Sequence, residues 1–216
     1  MSVFEKPIVM IDFETTGLSP DMGDRITEVA ALRIVKGRVV ERFVSLINCQ
    51  VRIPAFITGL TGITQAMVNG APPVAQVLPQ LLDFIGGDAL SAHNASFDEK
   101  FLCAESARLG LTPAHQGLVC SLKLSRRVFP GLASYKLGQL SSQLGIQFAS
   151  AAHRAESDAE VAAQVLIHIG RHLVSAYGIT AVEPDLLVSV NRLSAAKVPQ
   201  FLQKQALGCA QLKRGA

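Results

Sequence analysis

The chain of 216 residues is 49% apolar and 17% charged, which suits one domain with a sizeable core and argues against disorder or a fibrous repeat. Its formal charge of +3 permits a polyanionic partner without demanding one, and no apolar run is long enough to cross a bilayer. The opening Met1-Ser2-Val3-Phe4-Glu5-Lys6 lacks a signal-peptide core, so a cytoplasmic protein with no membrane partner is expected. Cys49, Cys103, Cys120 and Cys209 stand too far apart for a structural zinc site and read as reduced, mostly buried thiols.

Residues 7–13 form an Ile- and Val-rich run that predicts a buried strand, and residues 28–35 and 39–47 predict two more. The short Lys36-Gly37-Arg38 link joins the latter two as a hairpin. Residues 51–73, with Pro54, Gly59, Gly62, Gly70, Pro72 and Pro73, read as loop; helical spacing resumes over 74–85, and 89–92 make a short strand. Helices are predicted over 96–109, 121–128, 137–144 and 156–173, a succession typical of three-layer α/β or α+β domains. Beyond residue 177 the periodicity weakens, which divides the chain into a domain over 1–176 and an appendage of unknown role over 177–216.

The sharpest local signal is Ile11-Asp12-Phe13-Glu14-Thr15-Thr16-Gly17. Residues i and i+2 of a strand share a face, so Asp12 and Glu14 project side by side, and a divalent cation would offset their repulsion. An isolated pair of this kind is more often a solvated strand end. Asp98 falls in the first turn of the helix after the 89–92 strand, where Ser96 suits an N-cap and an acid suits the helix dipole. Asp158 is harder to explain innocently. It shares a helix stripe with Ala162, Val165 and Ile169, which points a carboxylate along a buried face. His153, five residues earlier, belongs to the preceding loop, where an imidazole could take a proton from a water near the acids.

Together these segments are decisive. Asp12-x-Glu14-Thr15-Thr16-Gly17, Asn94-Ala95-Ser96-Phe97-Asp98 and His153-x-x-x-x-Asp158 resemble, in order and spacing, the three motifs of the DEDDh 3′–5′ exonucleases, the DnaQ-like family that includes proofreading epsilon subunits. Thr61-Gly62-Ile63-Thr64 and Tyr135-Lys136-Leu137-Gly138-Gln139-Leu140 look like its auxiliary segments, and the resemblance spans roughly residues 8–173. It implies an α/β, ribonuclease H-like three-layer fold with a central mixed five-stranded sheet flanked by helices. It also implies two Mg²⁺ ions, with Mn²⁺ as a substitute, held by Asp12, Glu14, Asp98 and Asp158, with His153 as general base. The implied activity removes nucleoside 5′-monophosphates from the 3′ end of single-stranded DNA or RNA, DNA being favoured, in proofreading or repair beside a DNA polymerase subunit.

Two alternatives belong with this reading: an RNA-trimming exoribonuclease, and a catalytically inert nucleic-acid or polymerase-binding module on the same fold. Thr15, Thr16, Gly17, Leu18, Thr61, Asn94 and Phe97 are the implied substrate contacts, although Phe97 and Phe101 also fit a helix core pair. Some relatives have a histidine where this chain has Thr61. Lys123, Arg126, Arg127 and Lys136 fit either a phosphate path or a solvated helix side, whereas His168 and His172 read as a polar surface pair.

Overall fold

The computed structural model describes residues 2–146 and 153–212, with side chains over 3–146 and 153–207. Strands β1 (Ser2–Val3), β2 (Ile8–Thr15), β3 (Ile26–Val35) and β4 (Arg38–Leu46) open the chain. Between β3 and β4, Lys36 and Gly37 have φ of 52° and 66°, the left-handed pair that a two-residue hairpin requires. β2, β3 and β4 are antiparallel neighbours, while β5 (Ala89–Ala92) and β6 (Leu118–Cys120) continue the sheet in parallel on the other side of β2. The order β4-β3-β2-β5-β6 gives a mixed five-stranded sheet with β2 at its centre. β6 has three residues, too few for an alternating pattern to announce it.

The stretch read as loop over 51–73 contains two short helices, α1 (Ala55–Thr61) and α2 (Gln65–Asn69). Its breakers act at helix ends: Pro54 precedes α1, Gly62 ends it in the left-handed conformation, and Thr64 accepts the Met67 N–H at the start of α2. Ile53, Ile57, Ile63 and Val68 bury a small core beneath them. The remaining helices are α3 (Val74–Ile85), α4 (Ala95–Arg108), α5 (Ser121–Val128), α6 (Leu137–Gln143) and α7 (Ala155–Tyr177).

Strand periodicity sorts the sheet into two faces. Ile8 and Met10 of β2 and Ala30, Leu32 and Ile34 of β3 pack with Ala159, Ala162, Val165 and Ile169 of α7. Val9, Ile11 and Phe13, with Val29 and Ala31, pack instead with α3 and with Phe101 and Leu102 of α4. Since successive strand side chains alternate, Asp12 and Glu14 continue the α7 face, and helices cover both sides as three layers.

Beyond α7 lie β7 (Ala181–Val182), α8 (Pro184–Arg192) and α9 (Val198–Leu212). β7 pairs in parallel with β1, and the Glu183 carboxylate accepts the Glu5 and Lys6 N–H groups at 3.2 and 2.9 Å. Val182, Leu187, Val190, Val198 and Leu202 enter the same core as α7. Among the described residues, no helix is long and apolar enough to cross a membrane. Cys49 and Cys120 are buried free thiols, whereas Cys103 is exposed.

Candidate active site

Three elements deliver carboxylates to the C-terminal end of β2. Asp12 and Glu14 arrive on its α7 face, and Asp158 arrives from the first turn of α7. Ligand oxygens of these three lie within 4.8 Å of one another. Asp98 enters from the opposite layer, in the first turn of α4; it is 4% exposed and accepts the Phe13 N–H at 3.2 Å. The helix begins one residue before the expected start: Asn94, at φ 80°, precedes Ala95, and Ser96 lies inside the first turn rather than at the cap. Asn94 itself is exposed and makes no side-chain cap bond.

Burial raises the pKa of all four acids. Burial, then repulsion from Asp98, Asp158, Glu14 and Glu28, pushes Asp12 well above the carboxylate range. Burial first, then Asp158 and Glu28, raises Glu14 to about 7, against the opposing pull of Arg154. Asp98 rises to about 8 because it is buried, although the Phe13 N–H favours its ionised form. Asp158 is raised by burial, partly offset by the His153 N–H, which donates to its Oδ2 at 3.2 Å. His153 is exposed in the turn before α7 and has φ 64°, a left-handed backbone that histidine adopts more readily than most side chains.

The loop after Glu14 is braced from α4. Thr15 Oγ1 donates to Gly17 O at 2.6 Å, and Thr16 Oγ1 meets Asp24 at 3.3 Å and accepts the Arg25 N–H. Arg25 forks onto Glu105 at 2.6 and 2.9 Å, Arg108 bridges Glu105 to Pro20 O, and Lys100 donates to Leu18 O at 2.9 Å. A Cβ on Gly17 would lie 2.4 Å from the Asp24 carboxylate, so any larger residue here would have to displace that side chain from its place in the loop. The Leu18 side chain is left 79% exposed at the loop's outer edge.

The other expected contacts behave differently. Phe97 packs on Phe101 with ring centroids 5.0 Å apart, the core-pair arrangement, and it stays partly exposed. Thr61 is buried, with its hydroxyl donating to Ile57 O and accepting the Ile63 N–H, so its hydrogen bonds are spent within its own turn. Arg127 donates to Leu193 O and Lys123 O, while Arg126 lies over the Tyr135 ring. His168 and His172 stand edge-on to Phe129 at 5.8 and 4.8 Å.

Two charged residues next to the acids escaped the sequence reading, Glu28 and Arg154. Glu28 faces Glu14 directly across the β2–β3 ladder, and Arg154 chelates it. The available signal was its position in phase with Ala30, Leu32 and Ile34, an acid on an otherwise apolar strand face.

The exonuclease family model RNase_T matches residues 9–166. The chain is 39% identical over 163 residues to a DNA polymerase III PolC-type protein of Caldanaerobacter subterraneus subsp. tengcongensis; the match takes in 76% of this chain but 11% of that protein. It is 34% identical over 178 residues to the DNA polymerase III subunit epsilon of Aquifex aeolicus, covering 82% of this chain and 87% of the subunit. Among solved structures, Exonuclease X in complex with 5′ overhanging duplex DNA superposes with a TM-score of 0.67 at 27% identity, over 85% of this chain and 99% of that one.

Proposed function

Since the chain belongs to the RNase_T exonuclease family and has its DEDDh motifs on a ribonuclease H-like fold, we propose that it removes nucleotides from the 3′ end of single-stranded DNA. The observation that carries this reading is the convergence of Asp12, Glu14 and Asp158 within 4.8 Å, with Asp98 closing in from the other layer. The epsilon subunit, matched over most of its length, supports DNA as the strand and a polymerase subunit as a partner.

The donor set fits divalent magnesium or manganese. All four donors are hard carboxylate oxygens, and burial, more than any other cause, raises the pKa of each, so a divalent cation would favour their ionised forms. Asp12, Glu14 and Asp158 would hold one ion and Asp98, with Asp12, a second. Metal ions held there would supply Lewis acidity, lowering the pKa of the attacking water and offsetting charge on the scissile phosphate and leaving oxygen.

The chain's own residues do the rest. An imidazole nitrogen of His153 accepts a proton as the water oxygen bonds to phosphorus, and the exposed turn leaves the ring free to reach it. The P–O3′ bond breaks in line, the 3′ oxygen of the shortened strand takes a proton from solvent, and the terminal nucleotide departs as a 5′-monophosphate. Leu18 and Phe97 offer apolar surface to the terminal bases, which would accept any sequence. Backbone at Thr15, Thr16 and Gly17 lines the approach.

A 3′-labelled single strand incubated with the purified protein and Mg²⁺ should release labelled mononucleotide, and EDTA should stop it. Absence of metal-dependent shortening would overturn the reading in favour of an inert binding module. Faster trimming of a matched short RNA would reassign the substrate class.

A further inference from the structure

Glu28 is 2% exposed, sits one strand away from Glu14 on the same face of the sheet, and belongs to none of the motifs. A carboxylate buried beside three others persists only with a dedicated cation. Here the cation is Arg154: its Nε donates to Glu28 Oε2 at 3.0 Å, its Nη2 to Oε1, and the Ala155 N–H adds a third bond to Oε2 at 3.0 Å. Arg154 immediately follows His153 and immediately precedes α7. The central sheet therefore grips the chain at the point where the catalytic turn becomes the helix that carries Asp158.

We propose that Glu28 and Arg154 form a positioning clamp for hydrolysis. By tying the turn to β3, the pair holds His153 at its left-handed backbone angle, with its N–H on Asp158, and so fixes the backbone point from which the imidazole reaches toward the acid cluster. By occupying both Glu28 oxygens it also keeps this fourth acid on the α7 face from joining the metal ligands. The fork matters, because an ammonium in place of the guanidinium lacks the planar pair of nitrogens that makes two parallel bonds to the carboxylate and so holds the turn at a fixed angle. The inference rests on the exonuclease reading above.

The test uses the full chain and the variants Glu28→Gln, Arg154→Ala, Arg154→Lys and Glu28→Gln/Arg154→Ala, with Asp12→Ala as control. Glu28→Gln is isosteric and leaves no bare buried charge, so it keeps the test readable if Arg154→Ala unfolds. Each single variant should lower kcat about 10–100-fold, as loss of an outer-shell partner does, with KM for a single strand little changed. Arg154→Lys should fail to restore the rate, and the double variant should be no worse than the worse single, because both remove one interaction. In metal-free protein, amide hydrogen exchange over residues 153–158 should quicken in the same variants. The clamp is overturned by a Glu28→Gln variant with unchanged kcat and exchange, by additive losses in the double, or by a raised KM with kcat intact, which would place Arg154 on a substrate phosphate. Failure of the exonuclease reading would look different: no metal-dependent release by the native chain, or full activity in Asp12→Ala, with the exchange result still reporting on the clamp.

Discussion

Asp12 is pressed first by burial and then by four neighbouring carboxylates. Its removal should separate chemistry from folding. Asp12→Ala is expected to lower kcat by at least about a thousandfold, several kcal/mol of lost transition-state stabilisation, while raising the melting temperature of the metal-free protein because a buried acid pressed by its neighbours has gone. Steady-state rates and calorimetry on one preparation check both halves. The same cluster sets a pH dependence. Glu14 and Asp98 are raised to about 7 and about 8, so between the ordinary carboxylate range and these values the folded chain holds more protons than the unfolded one. Stability from these groups is therefore full at low pH and lost as pH climbs through about 7 and 8. Metal-free protein should melt progressively lower from pH 5 to 8, with Mg²⁺ or Mn²⁺ restoring most at the upper end, a trend that a thermal-shift series at fixed ionic strength would reveal or refute.

At the scale of elements, the site is a meeting of two layers at one strand end. β2 supplies two acids because its even positions face α7, and α4 reaches the same end from the opposite side while bracing the loop after Glu14 through Glu105, Arg108 and Lys100. That loop is a rigid presenter of Leu18. Gly17→Ala would force Asp24 away from Ser19 N and Thr16 Oγ1. The expected result is a loss of about 1–3 kcal/mol in stability, typical of overpacking, together with, on the proposed role of this loop in substrate contact, weaker strand binding, measured as a higher KM and a shorter lifetime of the bound strand. Unchanged binding with lowered stability would detach the loop from substrate contact. The two-carboxylate spacing on β2 was legible because a strand repeats every two residues. Glu28 was not, since its partnership with Arg154 spans 126 positions of the chain.

For the whole molecule, the segment after α7 is structural. Leu187, Val190, Val198 and Leu202 are fully buried in the main core, Asn191 bonds both the N–H and C=O of Cys120 on β6, and β7 closes against β1. Burying four such side chains at about 1.5–3 kcal/mol each approaches the roughly 5–15 kcal/mol margin of an ordinary domain. A chain ending at residue 177 is accordingly expected to lose its cooperative melting transition and to bind hydrophobic dyes. A cooperative, well-folded truncation would show instead that the first 177 residues form an independent unit.

The weak periodicity beyond residue 177 concealed this because α8 and α9 are short or mixed in polarity, and their apolar positions make sense only against distant elements, β6 and α5 for α8 and α7 for α9. What the amino-acid sequence determined by itself was everything carried by local repeat: Asp12 and Glu14 on one strand face, Asp158 on the buried stripe of a helix, and three motifs in family order. Tertiary structure alone decided which faces meet. Strand register set Glu28 opposite Glu14, packing buried the Thr61 side chain, and the last helices closed over the core. The physical reason is that period and turn chemistry are properties of neighbouring residues, while register, pairing and burial follow from contacts between distant ones.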